Sequence, residues 1–348
     1  MGKAWFEELF GFRERGYETV KKNLEMRDGK LVSLANGREF QPGEFLTPSL
    51  AELRQQVQEI VPKPSEEGCR LKLSHIAVSD IYATHMEKEY AGAMFQVASQ
   101  FNCLEFVSPG VVPENGITGY ASDHTQGPAC SLACPAGTAY RNYFATTPKG
   151  NEGQRSDDQI NNLDDIEAII NNPERRYWIT RNGYVNSTPH RLSVFNKLLR
   201  KGQWDHEQLL TSLKIGLQLE TEVIQTMETR QKSVQLVNQA FCSGISVSYS
   251  QAGGDDWELI ARLVLDAAYE CVILAALLQL AKGKGSKIVM LTFIGGGVFG
   301  NRLEWITHSI ARACALYATY ELDVRVCHYR RVDTNTAATI DEEFKSLQ

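Results

Sequence analysis

The sequence lacks the excess of positive charge that a broad nucleic-acid-binding surface needs. It carries 36 lysines and arginines against 42 aspartates and glutamates, a formal charge of -6, which argues against a nucleic-acid partner. No apolar signal segment follows Met1. The most apolar stretch, residues 271–281, has about half the length that a membrane-spanning helix needs. We therefore expect a cytoplasmic protein that does not bind a membrane.

Cysteine is also scarce, because eight cysteines in 348 residues are too few for a disulfide framework. Cys130 and Cys134 stand one helical turn apart, but no second pair of cysteines or histidines has matching spacing. Small buried thiols are therefore a better interpretation than a metal site. We expect neither a metal nor a cofactor.

Strands that alternate with helices are the dominant pattern from Leu71 onwards. Such alternation indicates right-handed crossovers and a largely parallel sheet covered on both faces, which is an α/β fold. In these sheets ligands bind at the carboxyl ends of the strands. Residues 1–70, with helices and short hairpins, are predicted as an accessory segment, and residues 71–348 as the main domain. Residues 209–227 are predicted as a helix.

The stretch IGGGVFGN, residues 294–301, lies between a predicted buried strand and a predicted helix. Glycine there lets the backbone approach a ligand closely, and that ligand is often a phosphate. The glycines fit the dinucleotide fingerprint, but only 48 residues follow Gly300 and the next strand ends without an acidic residue. No Lys-Ser/Thr pair follows either, which excludes a P-loop. A tight turn without a ligand stays open as an alternative.

In its strand–loop–helix–strand setting, this stretch resembles the second phosphate-binding loop of the macrodomain family, the ADP-ribose module. The resemblance implies a three-layer α/β/α fold with a mixed, largely parallel sheet, here with an N-terminal helical and hairpin extension. It also implies that backbone amides of the loop wrap the diphosphate of ADP-ribose. The loop residues concerned are Gly295, Gly296, Gly297, Val298, Phe299, Gly300 and Asn301. For Phe299, an ordinary place in the core is the alternative.

Two upstream segments extend the resemblance. The stretch FQVASQFN resembles the strand in which the family carries its distal-ribose asparagine, which makes Asn102 a catalytic candidate. Asp80 and Ile81 stand where the family's Asp-Ile pair contacts adenine. Asp80 would accept from the adenine amino group, and Ile81 would lie against the ring. A plain strand-end aspartate is the alternative for Asp80.

The first loop departs from the usual family pattern. Residues 108–130, SPGVVPENGITGYASDHTQGPAC, lack the triple glycine and the Gln-Glu-Glu of poly-ADP-ribose glycohydrolases, which argues against cleavage of the polymer. The DHTQGPAC portion most resembles the MavL-like branch of macrodomain ADP-ribosylhydrolases. That resemblance implies an ADP-ribosylated protein as the partner, with ubiquitin modified on arginine as the specific candidate.

Carboxylates of the loop 103–127 are the candidates for hydrolysis of the glycosidic bond at the distal ribose. A carboxylate can stabilise an oxocarbenium-like state, activate water or protonate the leaving group. Asp123 is the first candidate because it lies just before a predicted helix start, and Glu114 is the second. Thr125 and Gln126 are predicted to orient water or ribose hydroxyls.

Several alternatives to these assignments stay open. Asp123 could serve as a local cap that binds its own backbone, and Glu114 could be a solvated loop carboxylate. At the level of the whole protein, a module that reads ADP-ribose without cleaving it would carry the same glycine loop. A degenerate scaffold is a third possibility, although it would not explain the intact glycines.

Overall fold

The computed structural model describes residues 4–64, 68–172, 174–224 and 234–348. The strands of these residues are β1 Leu24–Arg27, β2 Lys30–Ser33, β3 Glu39–Phe40, β4 Glu44–Leu46, β5 Lys72–Val78, β6 Met94–Ala98, β7 Ile179–Arg181, β8 Tyr184–Asn186, β9 Gly216–Val223, β10 Gln235–Cys242, β11 Ile288–Leu291 and β12 Asp323–Tyr329. The helices are α1 Trp5–Phe10, α2 Tyr17–Asn23, α3 Leu50–Ile60, α4 Ile81–Met86, α5 Gln126–Ala133, α6 Pro135–Tyr143, α7 Asp164–Ile169, α8 Pro189–Arg200, α9 His206–Ser212, α10 Gly254–Ala281, α11 Leu303–Leu316 and α12 Thr334–Leu347.

The main sheet has seven strands in the order β4-β9-β10-β6-β11-β12-β5. Each pair from β10 through β6, β11 and β12 to β5 is parallel. Strand β9 runs antiparallel to β10, and β4 runs antiparallel to β9. The predicted α/β class with a mixed, largely parallel sheet is confirmed.

Helices cover both faces of the sheet because alternate residues of each strand point to opposite sides. In β6, Met94 belongs to the core under α10 and Phe95 to the core on the other face. Helix α10 contacts α3, α8, α9 and α11. It is long and apolar enough to cross a membrane by composition, but 89% of its most apolar window is buried inside the protein. These features make α10 the central core helix of one layer.

On the opposite face, the N-terminal residues form a second core with the loop 103–127 and α6. The hairpin β1–β2 turns at Asp28 and Gly29, whose φ angles of 49° and 74° suit the predicted tight turn. Strand β4 extends the main sheet, and α3 packs against α10. The domain division at residue 70 stays a prediction, and elements on its N-terminal side lie in the main sheet and its core.

The helix predicted over residues 209–227 is wrong in its central part. Helix α9 ends at Ser212 and β9 occupies Gly216–Val223, whereas residues 225–227 lie outside the described residues. Leu217 and Leu219 face the core under α10, and the intervening Gln218 is buried on the other face. Pairing with β4 and β10 satisfies the backbone groups of β9, and this tertiary context outweighs local helical preference.

A prediction concerns Gly43, which precedes β4 and has a φ of 80°. A Cβ there would overlap the backbone carbonyl of Leu219, so Gly43→Ala should loosen the pairing of β4 with β9. Gly37→Ala is the matched control, since Gly37 has a φ of 69° but open space around it. We expect Gly37→Ala to cost about 1–2 kcal/mol in unfolding free energy, the strain of the left-handed conformation alone. Gly43→Ala should cost about 1–3 kcal/mol more.

Urea unfolding followed by circular dichroism measures both values. Equal losses in the two variants would mean that β4 yields to the added methyl group without cost.

Candidate active site

A cleft with a volume of about 470 Å³ opens at the carboxyl ends of the parallel strands. Its walls come from the end of β5, the loop before α5, the residue after β11 and the end of β12. Among the lining residues are Asp80, Ile81, Asp123, Thr125 and Gln126. Five residues predicted from the sequence therefore share one cavity.

Strands β6 and β11 separate towards their carboxyl ends. The two strands pair only at Met94 with Val289 and at Phe95 with Met290. Beyond that point, the Gln126 side chain binds the free edge of β6. Its Nε2 donates to the carbonyl of Gln96 at 2.8 Å, and its Oε1 accepts from the amide of Ala98 at 2.8 Å. Gln126 thus takes the place of a neighbouring strand and anchors α5 to the sheet.

On the β11 side, the amide of Thr292 donates to Oε1 of Gln96 at 3.0 Å. Glutamine side chains therefore satisfy backbone groups on both edges of the gap, as buried backbone requires. With both ends of its amide engaged, Gln126 forms a fixed part of the cleft wall.

Asp80 and Tyr329 lie at the β5–β12 end of the cleft. Asp80 caps α4, since its Oδ1 accepts from the amide of Ala83 at 3.1 Å. Tyr329 pairs with Val78 across the two strands, and 70% of its surface is exposed. The guanidinium of Arg330 lies 4.9 Å from the centre of the Tyr329 ring. An exposed ring beside a carboxylate suits a planar ligand that carries an amino group.

Asp123 follows a short 3₁₀ helix, Thr118–Ser122, and points into the same cavity. Its Oδ1 accepts from the amide of Thr125 at 2.9 Å and from the Thr125 hydroxyl at 2.7 Å. This local bonding holds the carboxylate in one orientation. Burial, followed by the nearby Tyr249 and Asp123, raises the pKa of Tyr184. Asp123 contributes the smallest of these three effects.

The glycine loop after β11 is closed by Asn301. Its Nδ2 donates to the carbonyl of Ile245 at 2.7 Å and to that of Gly295 at 3.1 Å, and its amide also binds the Gly295 carbonyl. Gly295 and Gly300 have φ angles of 70° and 75°, which side chains rarely adopt. A Cβ on Gly295 would lie 2.5 Å from Nδ2 of Asn301. Asn301 and these two glycines therefore shape the loop from within.

Three consecutive backbone amides of the loop, those of Gly297, Val298 and Phe299, have no acceptor among the described residues. Gly296 differs, because its amide donates to the carbonyl of Phe293. A Cβ added at Gly297 would meet nothing within 4 Å. Consecutive unpaired amides in an open loop are a suitable site for an anion.

Phe299 is half-buried in a small aromatic group at the edge of the loop. Its ring centre lies 5.5 Å from that of Tyr184 and 5.8 Å from that of Tyr249. Phe299 therefore packs against Tyr184, the first residue of β8, and against Tyr249.

Asn102, Glu114 and the glycine loop, residues 295–301, are not among the residues that line the cleft. Asn102 is buried, donates to Oε1 of Gln159 at 2.8 Å and accepts from the amide of Leu104. The Glu114 carboxylate accepts from the amide and hydroxyl of Ser156. The catalytic roles of both residues stay predictions.

A further carboxylate of the first loop, Glu105, is buried directly behind α5. Burial raises its pKa to about 7, and the nearby guanidinium of Arg141 opposes that rise. The Arg141 Nη2 lies 3.6 Å from Oε1 of Glu105. A Cβ on Gly127 would lie 3.0 Å from Cγ of Glu105. Glu105 therefore supports the start of α5 from behind the cleft.

Comparison with known proteins gives distant likenesses only. No protein-family model and no curated protein matches the chain. A poly(ADP-ribose) glycohydrolase from Deinococcus radiodurans, solved with ADP-ribose, is 11% identical with a TM-score of 0.43, over 97% of this chain and 99% of that one. The enzyme of the same name from Thermomonospora curvata is 13% identical with a TM-score of 0.36, over 95% and 96%. Likeness at this level assigns neither a family nor an activity to this chain.

Sequence reasoning missed His328 and Tyr329 as cleft residues. The stretch HYRR was used only to exclude a dinucleotide site, although it ends a strand of the parallel sheet. Its place at a carboxyl strand end was the signal that could have identified both residues, because ligands bind there.

His328 belongs to a hydrogen-bonded chain that runs from the cleft to the C-terminal helix. The amide of Asp333 donates to Nδ1 of His328 at 3.3 Å. Nε2 of His328 must therefore carry the hydrogen and donate to Nδ1 of His75 at 3.0 Å. Nε2 of His75 then donates to Oδ1 of Asp341 at 3.2 Å. This assignment satisfies every contact with both imidazoles neutral.

The hydrogen bonds of His328 and His75 predict that the stability of the fold depends on pH. Burial, and then His75, lower the pKa of His328, while Asp333 opposes the shift. The unfolded chain therefore binds a proton more readily than the folded one. The contribution of His328 to stability should be complete above the ordinary histidine pKa of 6.5 and should be lost as the pH drops below it. Thermal unfolding between pH 5 and pH 8 measures this dependence.

His328→Asn should reduce the change of melting temperature with pH. An asparagine oxygen accepts from the Asp333 amide without binding a proton. His190→Asn, at an exposed histidine of α8, is the control and should keep the wild-type slope. If the melting temperatures of all three proteins depended on pH in the same way, His328 would not be the cause of that dependence.

Proposed function

We propose that this chain binds ADP-ribose in the cleft and hydrolyses the glycosidic bond that joins the distal ribose to a modified protein. The run of unpaired amides at Gly297, Val298 and Phe299 carries the proposal. No lysine or arginine is found among the described residues that line the cleft. Main-chain amides, together with a helix N-terminus, can hold two phosphate charges without a cationic side chain.

The two ends of the cleft fit the two ends of ADP-ribose. At one end, Asp80 can accept from an adenine amino group, and Ile81 and the exposed ring of Tyr329 offer apolar surface to the base. At the other end, Asp123 stands near the aromatic group that contains Phe299. The diphosphate would extend from these residues to the glycine loop, which lies outside the lining of the cleft.

Asp123 is the proposed catalytic carboxylate. Thr125 holds its Oδ1, which leaves Oδ2 for the reaction. In hydrolysis the bond from the ribose C1 to the leaving atom breaks, and water supplies a hydroxyl to C1 and a proton to the leaving group. A carboxylate beside C1 can stabilise the positive charge that develops there and accept a proton from the water.

For the carrier we propose a protein modified on arginine, with ubiquitin as the specific candidate, in the cytoplasm. An anionic Asp123 complements a guanidinium leaving group. The choice of ubiquitin rests on the resemblance of the DHTQGPAC stretch to the MavL-like branch. The TM-scores and identities of the poly(ADP-ribose) glycohydrolases are too low to support any part of this proposal.

A module that binds ADP-ribose without cleaving it is the second candidate. One observation favours it, namely that Asp123 already bonds to Thr125 in the manner of a local turn.

Gly297→Val should separate phosphate binding from folding. Because a Cβ at Gly297 meets only open space, the substitution should leave the melting temperature unchanged. The added side chain would occupy the face that a diphosphate needs. We expect the affinity for ADP-ribose to fall at least about tenfold, which corresponds to about 1.4 kcal/mol. Isothermal titration calorimetry, with AMP and NAD as comparison ligands, measures this change.

Gly110→Val is the matched control, since Gly110 is an exposed glycine of the first loop where a Cβ would meet only Oγ of Ser108, at an ordinary contact distance of 3.7 Å. It should bind ADP-ribose as the wild type does. Absence of binding to wild-type protein at millimolar ADP-ribose would overturn the proposed function.

Asp123→Asn should stop hydrolysis without removing the ligand. The amide oxygen of asparagine can still accept from Thr125, so the loop geometry is retained, but the charge and the base are lost. We expect kcat to fall by about 10²–10⁴-fold, with ADP-ribose affinity within about tenfold of wild type. Release of ADP-ribose from arginine-modified ubiquitin is the assay, and Glu114→Gln tests the second candidate in parallel.

Asp157→Asn, at an exposed carboxylate, is the control and should turn over normally. Full activity of Asp123→Asn would remove Asp123 from the mechanism. If the wild-type protein bound ADP-ribose but hydrolysed no substrate, the module that binds without cleaving would be favoured.

A further inference from the structure

The carboxylate of Glu14 is bound by backbone amides of the first loop. It lies between α1 and α2, and its Oε1 accepts from the amide of Ile117 at 2.9 Å. Oε2 accepts from the amide of Thr118 at 2.7 Å, and the hydroxyl of Tyr143 donates to Oε1 at 2.6 Å. Three donors from two separate elements therefore converge on one side chain from the N-terminal segment.

The turn at Gly116 is built around this carboxylate. Gly116 has a φ of 82°, and a Cβ there would overlap the Glu14 carboxyl group. Only glycine allows the backbone to approach the anion this closely. The loop and Glu14 are thus fitted to each other over a sequence separation of about a hundred residues.

The 3₁₀ helix Thr118–Ser122 starts at this contact and ends at Asp123. Tyr120 in that helix is buried, and its hydroxyl accepts from the amide of Glu105 at 2.9 Å. The amide of Asp123 donates to the carbonyl of Tyr120. A displacement at residue 118 would therefore pass through one rigid helical turn to the carboxylate in the cleft.

The surrounding core gives the N-terminal segment the rigidity to hold the loop. Side chains of α1 and α2 pack with buried side chains of the first loop and α6. These are Trp5, Phe6, Leu9, Phe10, Tyr17 and Val20 from the N-terminal side, with Leu104, Phe106, Ile117, Tyr120 and Tyr143 from the other.

We propose that Glu14 is a positioning residue that sets the orientation of Asp123 in the cleft. This inference rests on the proposed hydrolase function for its kinetic readout, and on the geometry alone for its structural readout. It assigns the N-terminal segment a role in catalysis, because the segment supplies the anion around which the catalytic loop folds.

Glu14→Ala leaves the amides of Ile117 and Thr118 and the hydroxyl of Tyr143 around a space the size of a small carboxylate. We expect kcat to fall by about a hundredfold, as small displacements of reacting groups produce. ADP-ribose affinity should stay within about threefold, because the glycine loop belongs to another part of the chain. Formate added at increasing concentration should restore turnover with saturation, whereas chloride at equal ionic strength should not.

Glu7→Ala is the matched control, since Glu7 lies in the same segment and pairs with Arg13 at the surface. It should behave as wild type with and without formate. The amide resonance of Thr125, which donates to Asp123, supplies a readout that needs no turnover. It should shift in Glu14→Ala and return with formate.

An unshifted Thr125 resonance in Glu14→Ala would overturn the inference. So would a loss of turnover that formate does not restore, since Glu14 would then only stabilise the fold. A wild-type protein without hydrolytic activity would refute the proposed function instead, and the Thr125 resonance would still decide the role of Glu14.

Discussion

The separation of β6 from β11 is the constraint on which the site depends. Two neighbouring parallel strands that part before their ends leave backbone donors and acceptors without partners, and a folded protein has to satisfy them. Here the side chains of Gln96 and Gln126 do so. One consequence is that the Gln126 side chain occupies the edge of β6 that β11 leaves unpaired. Another is that α5, and with it the loop before it, is fastened to the sheet at a defined point.

The loop that carries Asp123 is therefore held from two directions. Gln126 ties its end to β6, whereas Glu14 ties its middle to the N-terminal segment. Buried aromatic side chains fill the space between these attachments. A long loop without regular structure loses much conformational entropy on ordering. Packing and hydrogen bonds from a distant part of the chain offset this loss, so the candidate carboxylate needs no strand or long helix of its own.

Local patterns predicted much of the fold, and contacts between distant residues account for the rest. The glycine loop after β11 and the strands β5, β6 and β12 follow from short apolar runs and turn residues. Strand β9 was missed because its pairing with β4 and β10 is tertiary, and β4 lies far away in the sequence. No local sequence pattern identifies Glu14, because the backbone amides that it binds lie about a hundred residues away. His328 and Tyr329 had a positional signal that was visible in the strand order alone.

The glycine loop, whose amides at residues 297–299 have no acceptor among the described residues, places few demands on its own sequence. A site made of main-chain donors depends on torsion angles rather than on the identity of side chains. Substitutions at Val298 keep the amides in place, and only positions such as Gly295 and Gly300, with their positive φ, restrict the choice of residue. A site of this kind is therefore difficult to identify from the amino-acid sequence. Two chains can therefore differ at most positions of such a loop and still present the same backbone donors.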